Sequence, residues 1–247
     1  DMDGERSELS GVCKNSNGLA SGNTVAEASF HALCELVERD ATTLWGFIPE
    51  AAAMETAIDP AAFDDPTIDG LMAQIAASGM RLRLFDQTSD LGIPVVMAVL
   101  GPERRGGFVG ELEMTAGYGA HPVATRAVIR AITEAAQSRV TSIAASRDDI
   151  HSGAFDRSAA AVNLRLLEAV PVRAVPVGLT LGTPLPALAA AMADALATAN
   201  VSATSVVLSD PAKPYAVVKV LSADLEDRAA NLNWRPGWRA FDAVARL

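Results

Sequence analysis

Four titratable side chains, Glu27, His31, Glu35 and Glu38, recur at i, i+4, i+8 and i+11 in one stretch of this sequence. At about 100° per residue they fall within roughly 80° of one another on a helix, with Ser29, Ala32, Leu33 and Leu36 on much of the opposite side. Carboxylates three or four residues apart on a helix repel one another mildly, and solvated helix faces usually interleave them with Lys or Arg. Here no Lys or Arg stands between Lys14 and Arg39. A cation held among the carboxylates would remove the repulsion, and hard oxygen ligands suit Mg2+. A plain solvent-facing polar stripe is the other reading of the same residues.

Directly upstream lie Ser16, Asn17, Gly18, Gly22 and Asn23, which read as a glycine-rich loop at the helix entrance. Free backbone amides and the positive dipole end make such an entrance a receptor for anions. Amides and Asn for phosphate or ribose oxygens, and carboxylates for a bridging Mg2+, together point to a nucleotide. Standard sites of other kinds do not fit. "GLASGNT" lacks the Lys and the glycine spacing of G-x-x-x-x-G-K-[ST]. Glu27 stands four residues from His31, not the three of a di-iron Glu-x-x-His pair. No Cys-x-x-Cys accompanies a zinc-deaminase pattern, and no G-x-S-x-G is present.

A second stripe, Arg126, Arg130, Glu134 and Gln137, repeats the i, i+4, i+8, i+11 spacing. It offers positive charge, either to a phosphate or to an ion-pair face between two helices. His121 and His151 have no partner at ligand spacing and read as structural histidines.

These residues must be held by elements. Thr24 to Leu44 reads as a long helix opened by a T-x-x-E capping box, Thr24 with Glu27. A helix is expected over Thr67 to Ser78, stopped by Gly79. "MRLRLFD" and "IPVVMAVL" follow as strands, the latter apolar enough for burial on both faces. Arg104 to Gly107 reads as a turn, "AGYGAHP" as glycines and a turn, and 124–146 as a second long helix with proline near its start. A helix near 157–169, a strand near 172–180, an alanine-rich helix opened by "TPLP", strands "ATSVVLS" and "YAVVKVLS", and an irregular then helical tail complete the reading. No linker divides the chain, so one mixed α/β (α+β) domain over 1–247, a mixed sheet with packed long helices, is expected.

Composition limits the partners. Of 247 residues 50% are apolar, enough for a sizeable core, and the formal charge is −10. Long-range repulsion argues against nucleic acid and anionic membranes. The acidic start lacks the features of a signal peptide, and no run of about 18 apolar residues exists. Two cysteines, Cys13 and Cys34, make no disulfide framework, so a cytoplasmic protein is expected.

"SNGLASGNT" followed by "HALCELVERD" resembles the YcaO-domain family, and the resemblance continues through "GYGAH", "RAITEAAQSR" and "SRDD", then more weakly through "VVKVLSADLE" and "RPGWRA". It implies a YcaO-like fold and an enzyme that uses ATP and Mg2+ to phosphorylate a peptide-backbone amide oxygen, giving azolines, thioamides or amidines after a nucleophile replaces the phosphate. Position by position, it assigns Asn23 to nucleotide, Glu27, Glu35 and Glu38 to magnesium, and Arg39 to phosphate or to the carboxylates, with Ser16 and Gln137 as further cofactor contacts. The family's upstream Gly-Lys-Gly segment and Ser-x-x-Glu-x-x-Glu-Arg helix are not in these residues. An absent N-terminal portion is therefore expected, or a short form with an incomplete ATP site, the latter being a scaffold that binds a peptide or partner subunit without turnover. The tail "FDAVARL" is not the proline-rich end of azoline-forming members, which favours thioamide-type chemistry with a TfuA-type partner. A peptide or protein is the implied substrate; the oligomeric state is open, a homodimer among the options.

Overall fold

Thr24 is the reason the first long helix starts where it does. In extended conformation (φ −136°, ψ 159°), it accepts a hydrogen bond through its hydroxyl from the Glu27 amide at 3.1 Å and opens α1, Val25–Trp45. The Glu27 carboxylate reaches one residue further back than a capping box requires, accepting from the Asn23 amide at 2.9 Å and from Asn23 Nδ2 at 3.0 Å. The computed structural model describes residues 15–103, 108–144, 157–228 and 234–246. The Arg104 to Gly107 turn, Cys13, His151 and the "SRDD" segment lie outside the described residues.

Two antiparallel sheets carry the helices. In chain order the elements are β1 (Leu19–Gly22), α1, α2 (Glu50–Met54), β2 (Ala57–Ile58), α3 (Pro66–Ala77), β3 (Met80–Asp86), β4 (Val95–Pro102), β5 (Thr115–Ala120), α4 (Ala124–Ala144), α5 (Ala161–Glu168), α6 (Leu185–Thr198), β6 (Thr204–Val207), β7 (Ala216–Leu221) and α7 (Trp238–Ala245). One sheet has the order β2-β3-β4-β5 and the other β1-β7-β6. The mixed α/β architecture is thus the expected one. Strand direction is simpler than expected: among the described residues every strand pair is antiparallel, and parallel character is confined to an isolated bridge between Ile58 and Arg173.

β4 is buried on both faces, as its apolar run requires. One face packs with Leu82 and Leu84 under Ala127, Val128, Ala131 and Ile132 of α4; the other meets Phe85, Leu166 and Leu167. α4 lies close on β5 because Gly117 and Gly119 have no side chain: a Cβ at either would overlap the α4 backbone at Ala131. α1 is packed on two sides. Ala28, Ala32 and Leu36 cover Ala216, Val218 and Val220 of β7, while Phe30, Cys34, Val37 and Ala41 meet Val95, Ala120 and Leu188, Met192 and Leu196 of α6. Only a narrow stripe of α1 is left over, and it carries the acidic residues.

Three readings are corrected. "LASG" is not loop but β1, because it pairs with Ala216–Lys219 of β7. "TAGYGA", where no strand is expected, is β5, its glycines serving close helix packing, and the expected His121-Pro122 bend follows it. The segment near 172–180 is extended but is no strand: Pro171 and Pro176 have no amide to donate, and Val172 and Val177 are 67% and 91% exposed. No helix among the described residues is long and apolar enough to cross a membrane.

Candidate functional site: an acidic cleft between the two long helices

α1 and α4 present their polar stripes to one cleft of about 560 Å3, closed at one end by Leu19 and Ala20 of β1 and by Tyr118 of β5. α1 contributes His31, Glu35, Glu38 and Arg39; α4 contributes Arg130, Thr133, Glu134 and Gln137. The two sequence patterns, 99 residues apart, therefore form the facing walls of a single site.

Each carboxylate has a different situation. Glu35 Oε2 accepts from the Gly18 amide at 3.0 Å, and Glu35 Oε1 lies 3.9 Å from Arg39 Nη2. Glu134 Oε2 accepts from the Tyr118 amide at 2.6 Å. Glu38 is only 6% exposed, and among the described residues no hydrogen bond or ion pair involves it. Burial, and then the neighbouring Glu134 carboxylate, push its pKa up to about 7, with Arg39 and Arg130 pulling the other way. Beside it Arg39 Nε is buried without a partner. Arg130 makes no ion pair among the described residues, so the structural ion-pair face between the helices is not what forms.

Buried polar groups are normally satisfied, and those that are not call for an explanation. A divalent cation beside Glu35, Glu38 and Glu134 would supply the charge that Glu38 lacks, and anionic oxygens would meet Arg39 and Arg130. Among the described residues no group of three or more His, Cys, Asp or Glu is disposed to hold a metal by itself. That suits Mg2+, which binds one or two carboxylates and completes its octahedron with water and phosphate oxygens. The donor set thus fits Mg2+ with a polyphosphate.

The remaining residues sit elsewhere. Asn23 and Glu27 bind each other at the exposed start of α1 and do not line the cleft. Ser16 opens onto a larger depression, about 950 Å3, lined also by Asn17, Lys219, Trp234 and Arg235; Leu19 borders both spaces. In the larger depression Lys219 Nζ donates to the Asn15 and Asn17 carbonyls and Glu226 accepts from Trp234, Gly237 and Ala240, while Asn17 Oδ1 is buried without a partner. Glu134, Tyr118 and Thr133 were not singled out as ligand contacts from the sequence; the repeated spacing on α4 was the signal for Glu134, and nothing local marks Tyr118. His121 is structural: Nδ1 accepts from the Val123 amide at 2.9 Å and the ring meets Phe30 edge-on. Burial and then Arg126 hold its pKa down to about 4. Burial pushes the Cys34 thiol up to about 12, which leaves it unreactive.

A cleft lined by carboxylates and guanidinium groups from two helices has the donor types that a nucleotide bound through a divalent cation requires. The sequence profile described as YcaO cyclodehydratase, ATP- and Mg2+-binding, matches residues 3–226, and the chain belongs to that family. ATP and Mg2+, the expected cofactors, are those of the family. Among curated proteins it is 48% identical over 155 residues to a protein in the tfuA 3′ region of Rhizobium leguminosarum bv. trifolii, covering 61% of this chain and 37% of that one. A Methanothermobacter thermautotrophicus protein is 39% identical over 145 residues, 59% of this chain and 36% of its own. The chain therefore spans little more than a third of these relatives. Of solved structures, the heterocyclase TruD superposes with a TM-score of 0.69 at 26% identity, over 87% of this chain and 30% of TruD. YcaO from Methanopyrus kandleri, bound with AMPPCP and Mg2+, superposes with a TM-score of 0.66 at 23% identity, over 90% of this chain and 60% of that one, and shares the fold.

Proposed function

We propose that this chain carries the nucleotide-binding cleft of an ATP- and Mg2+-dependent enzyme that activates a peptide-backbone amide. The observation that carries the reading is Glu38, a largely buried carboxylate with no hydrogen bond or ion pair among the described residues, set in the cleft with Glu35, Glu134, Arg39 and Arg130. Bound together, ATP and Mg2+ supply the phosphoryl group that turns an amide oxygen into a leaving group. The chain's own part is positioning and electrostatics. Glu35 and Glu38 hold the cation, with Glu134 across the cleft; Arg39 and Arg130 face the phosphate oxygens; Gln137 supplies an amide at the rim. Glu27 and Asn23 join as further cation and nucleotide contacts only if their mutual hydrogen bonds open. Ser16 acts from the adjoining depression.

A relative encoded in a tfuA 3′ region supports thioamide formation, aided by a TfuA-type partner, over azoline formation. A second reading, a scaffold that holds a peptide or subunit without turnover, is favoured by one observation: Glu27, expected as a metal ligand, is committed to the Asn23 cap.

Titration calorimetry with ATP and MgCl2 separates the readings. Binding that needs Mg2+ and falls at least about tenfold in Glu38→Gln supports the cleft as the ATP site. No binding by this chain, restored by adding the upstream sequence, marks an incomplete fragment. Absence of binding in both leaves the scaffold.

A further inference from the structure

Past Glu38 and Arg39, α1 changes character. Ala41, Leu44, Trp45 and Ile48, at i, i+3, i+4 and i+7, form one wall of a second cavity, about 280 Å3, that shares no lining residue with the acidic cleft. Trp238 of α7, 47% exposed, lines it too. The polar part of the lining comes from Asp86 at the end of β3, Thr88 and Ser89 just after it, and Arg173. Pockets for whole small molecules begin at about 300 Å3. This one suits a single large side chain carrying one polar group.

The charges around the cavity decide what that polar group is. Each carboxylate already meets a guanidinium: Asp86 takes Arg173 Nε at 3.4 Å, Asp90 gives both oxygens to Arg239, and Asp242 lies 2.5 Å from Arg246 Nη2. Asp86 also accepts from the Thr88 amide at 2.9 Å. Arg239 is fully used between Asp40 and Asp90. Arg173 and Arg246 are not: among the described residues the Nη groups of Arg173, and Nε and Nη1 of Arg246, have no acceptor. The unmet hydrogen-bonding capacity is therefore cationic, and the planar fork of a guanidinium matches a carboxylate.

A longer groove, about 820 Å3, adjoins the cavity and shares Asp86, Thr88, Ser89 and Arg173 with it. One side of the groove is the extended segment 172–177, where the amides of Ala174, Val175 and Val177 donate to no acceptor among the described residues. Open amides along an extended segment can pair with the backbone of an added chain. We infer that the cavity receives the C-terminal residue of a peptide: its apolar or aromatic side chain against Trp45 and Trp238, its α-carboxylate on Arg173 and Arg246, and the residues before it laid along 172–177. The small volume and the adjoining groove select a peptide end over a lone carboxylic acid. This inference does not depend on what the cleft binds.

Titration calorimetry and tryptophan fluorescence on this chain test it, with the acetylated peptide Ac-Gly-Ser-Gly-Ser-Phe as the probe. The free acid should bind saturably and change the indole emission, and its C-terminal amide should bind at least about tenfold more weakly, for want of the charge-assisted hydrogen bonds. That preference for the acid should collapse in Arg173→Gln. It should fall also in Arg246→Gln, an exposed position whose loss leaves Asp86 its partners and the fold intact. Equal binding of acid and amide by the unaltered chain would overturn the inference. So would no binding up to millimolar peptide by a chain that melts cooperatively, or an unchanged preference for the acid in both variants. N-acetylphenylalanine bound as tightly as the pentapeptide would overturn the peptide occupant, since the groove along 172–177 would then contribute nothing.

Discussion

Glu38 stores an unfavourable charge in the cleft and is the residue on which the site turns. Its folded pKa, near 7, lies above the usual carboxylate value, so the folded state binds a proton that the unfolded state does not. The sign follows: Glu38 costs nothing below about pH 4.5, and its destabilisation grows as pH rises and is complete above about pH 7. Glu38→Gln should therefore raise the melting temperature of the ligand-free chain at pH 8 by about 2–4 °C and leave it unchanged near pH 4.5, by differential scanning calorimetry. A bound cation reverses the shift. Mg·ATP binding near pH 6.5 should release protons, read as a dependence of calorimetric enthalpy on buffer ionisation heat, and the dependence should vanish in Glu38→Gln. Uniform proton uptake would contradict the assignment.

At the scale of elements, α1 carries different business on adjacent residues. Glu38 and Arg39 face the cleft, while Asp40 is fully buried on another side and is held by Arg239 of α7 through Nε at 2.9 Å and Nη2 at 2.8 Å. Asp90 takes the rest of the guanidinium at 3.1 and 2.6 Å. Burial alone would lower the Arg239 pKa; the hydrogen bonds to Asp40 and Asp90 outweigh it and raise it. Removing one member of a buried pair strands the other. Arg239→Met should thus cost about 3–5 kcal/mol by urea denaturation and loosen α7 from α1. The β5–α4 contact is as strict. Gly119→Val should cost at least about 2 kcal/mol, because the α4 backbone at Ala127 and Ala131 occupies the space of a side chain. A wild-type denaturation midpoint in either variant would disprove the packing argument.

For the whole molecule, the apolar core and the charged side chains of the cleft are separate sets of residues. The four apolar clusters flank the cleft and include none of its charged side chains. Chelation by EDTA should leave the melting temperature of the ligand-free chain within about 1 °C, yet abolish the stabilisation produced by ATP with Mg2+, a free energy of about 2.7 kcal/mol at a hundredfold excess over the dissociation constant. A chain that unfolds on chelation alone would place a metal in the fold itself. The charge of −10 repels free polyphosphate at long range, so in the proposed reading Arg39 and Arg130 supply the local attraction.

The sequence by itself determined the long helices, the buried strands and the two polar stripes, because these depend on local periodicity and capping that each segment carries alone. Thr24 opens α1, Asp65 caps α3 and β3 spans Met80–Asp86 for such reasons. The tertiary structure alone decided that "LASG" and "TAGYGA" are strands, since their glycines answer to partners far along the chain, β7 and α4. It alone decided that Glu134 faces Glu38 while Glu27 turns back on Asn23, and that residues 172–180 pair with almost nothing. Which carboxylates share a cleft is a matter of how two helices 99 residues apart dock on two different sheets, and no spacing within either helix encodes that.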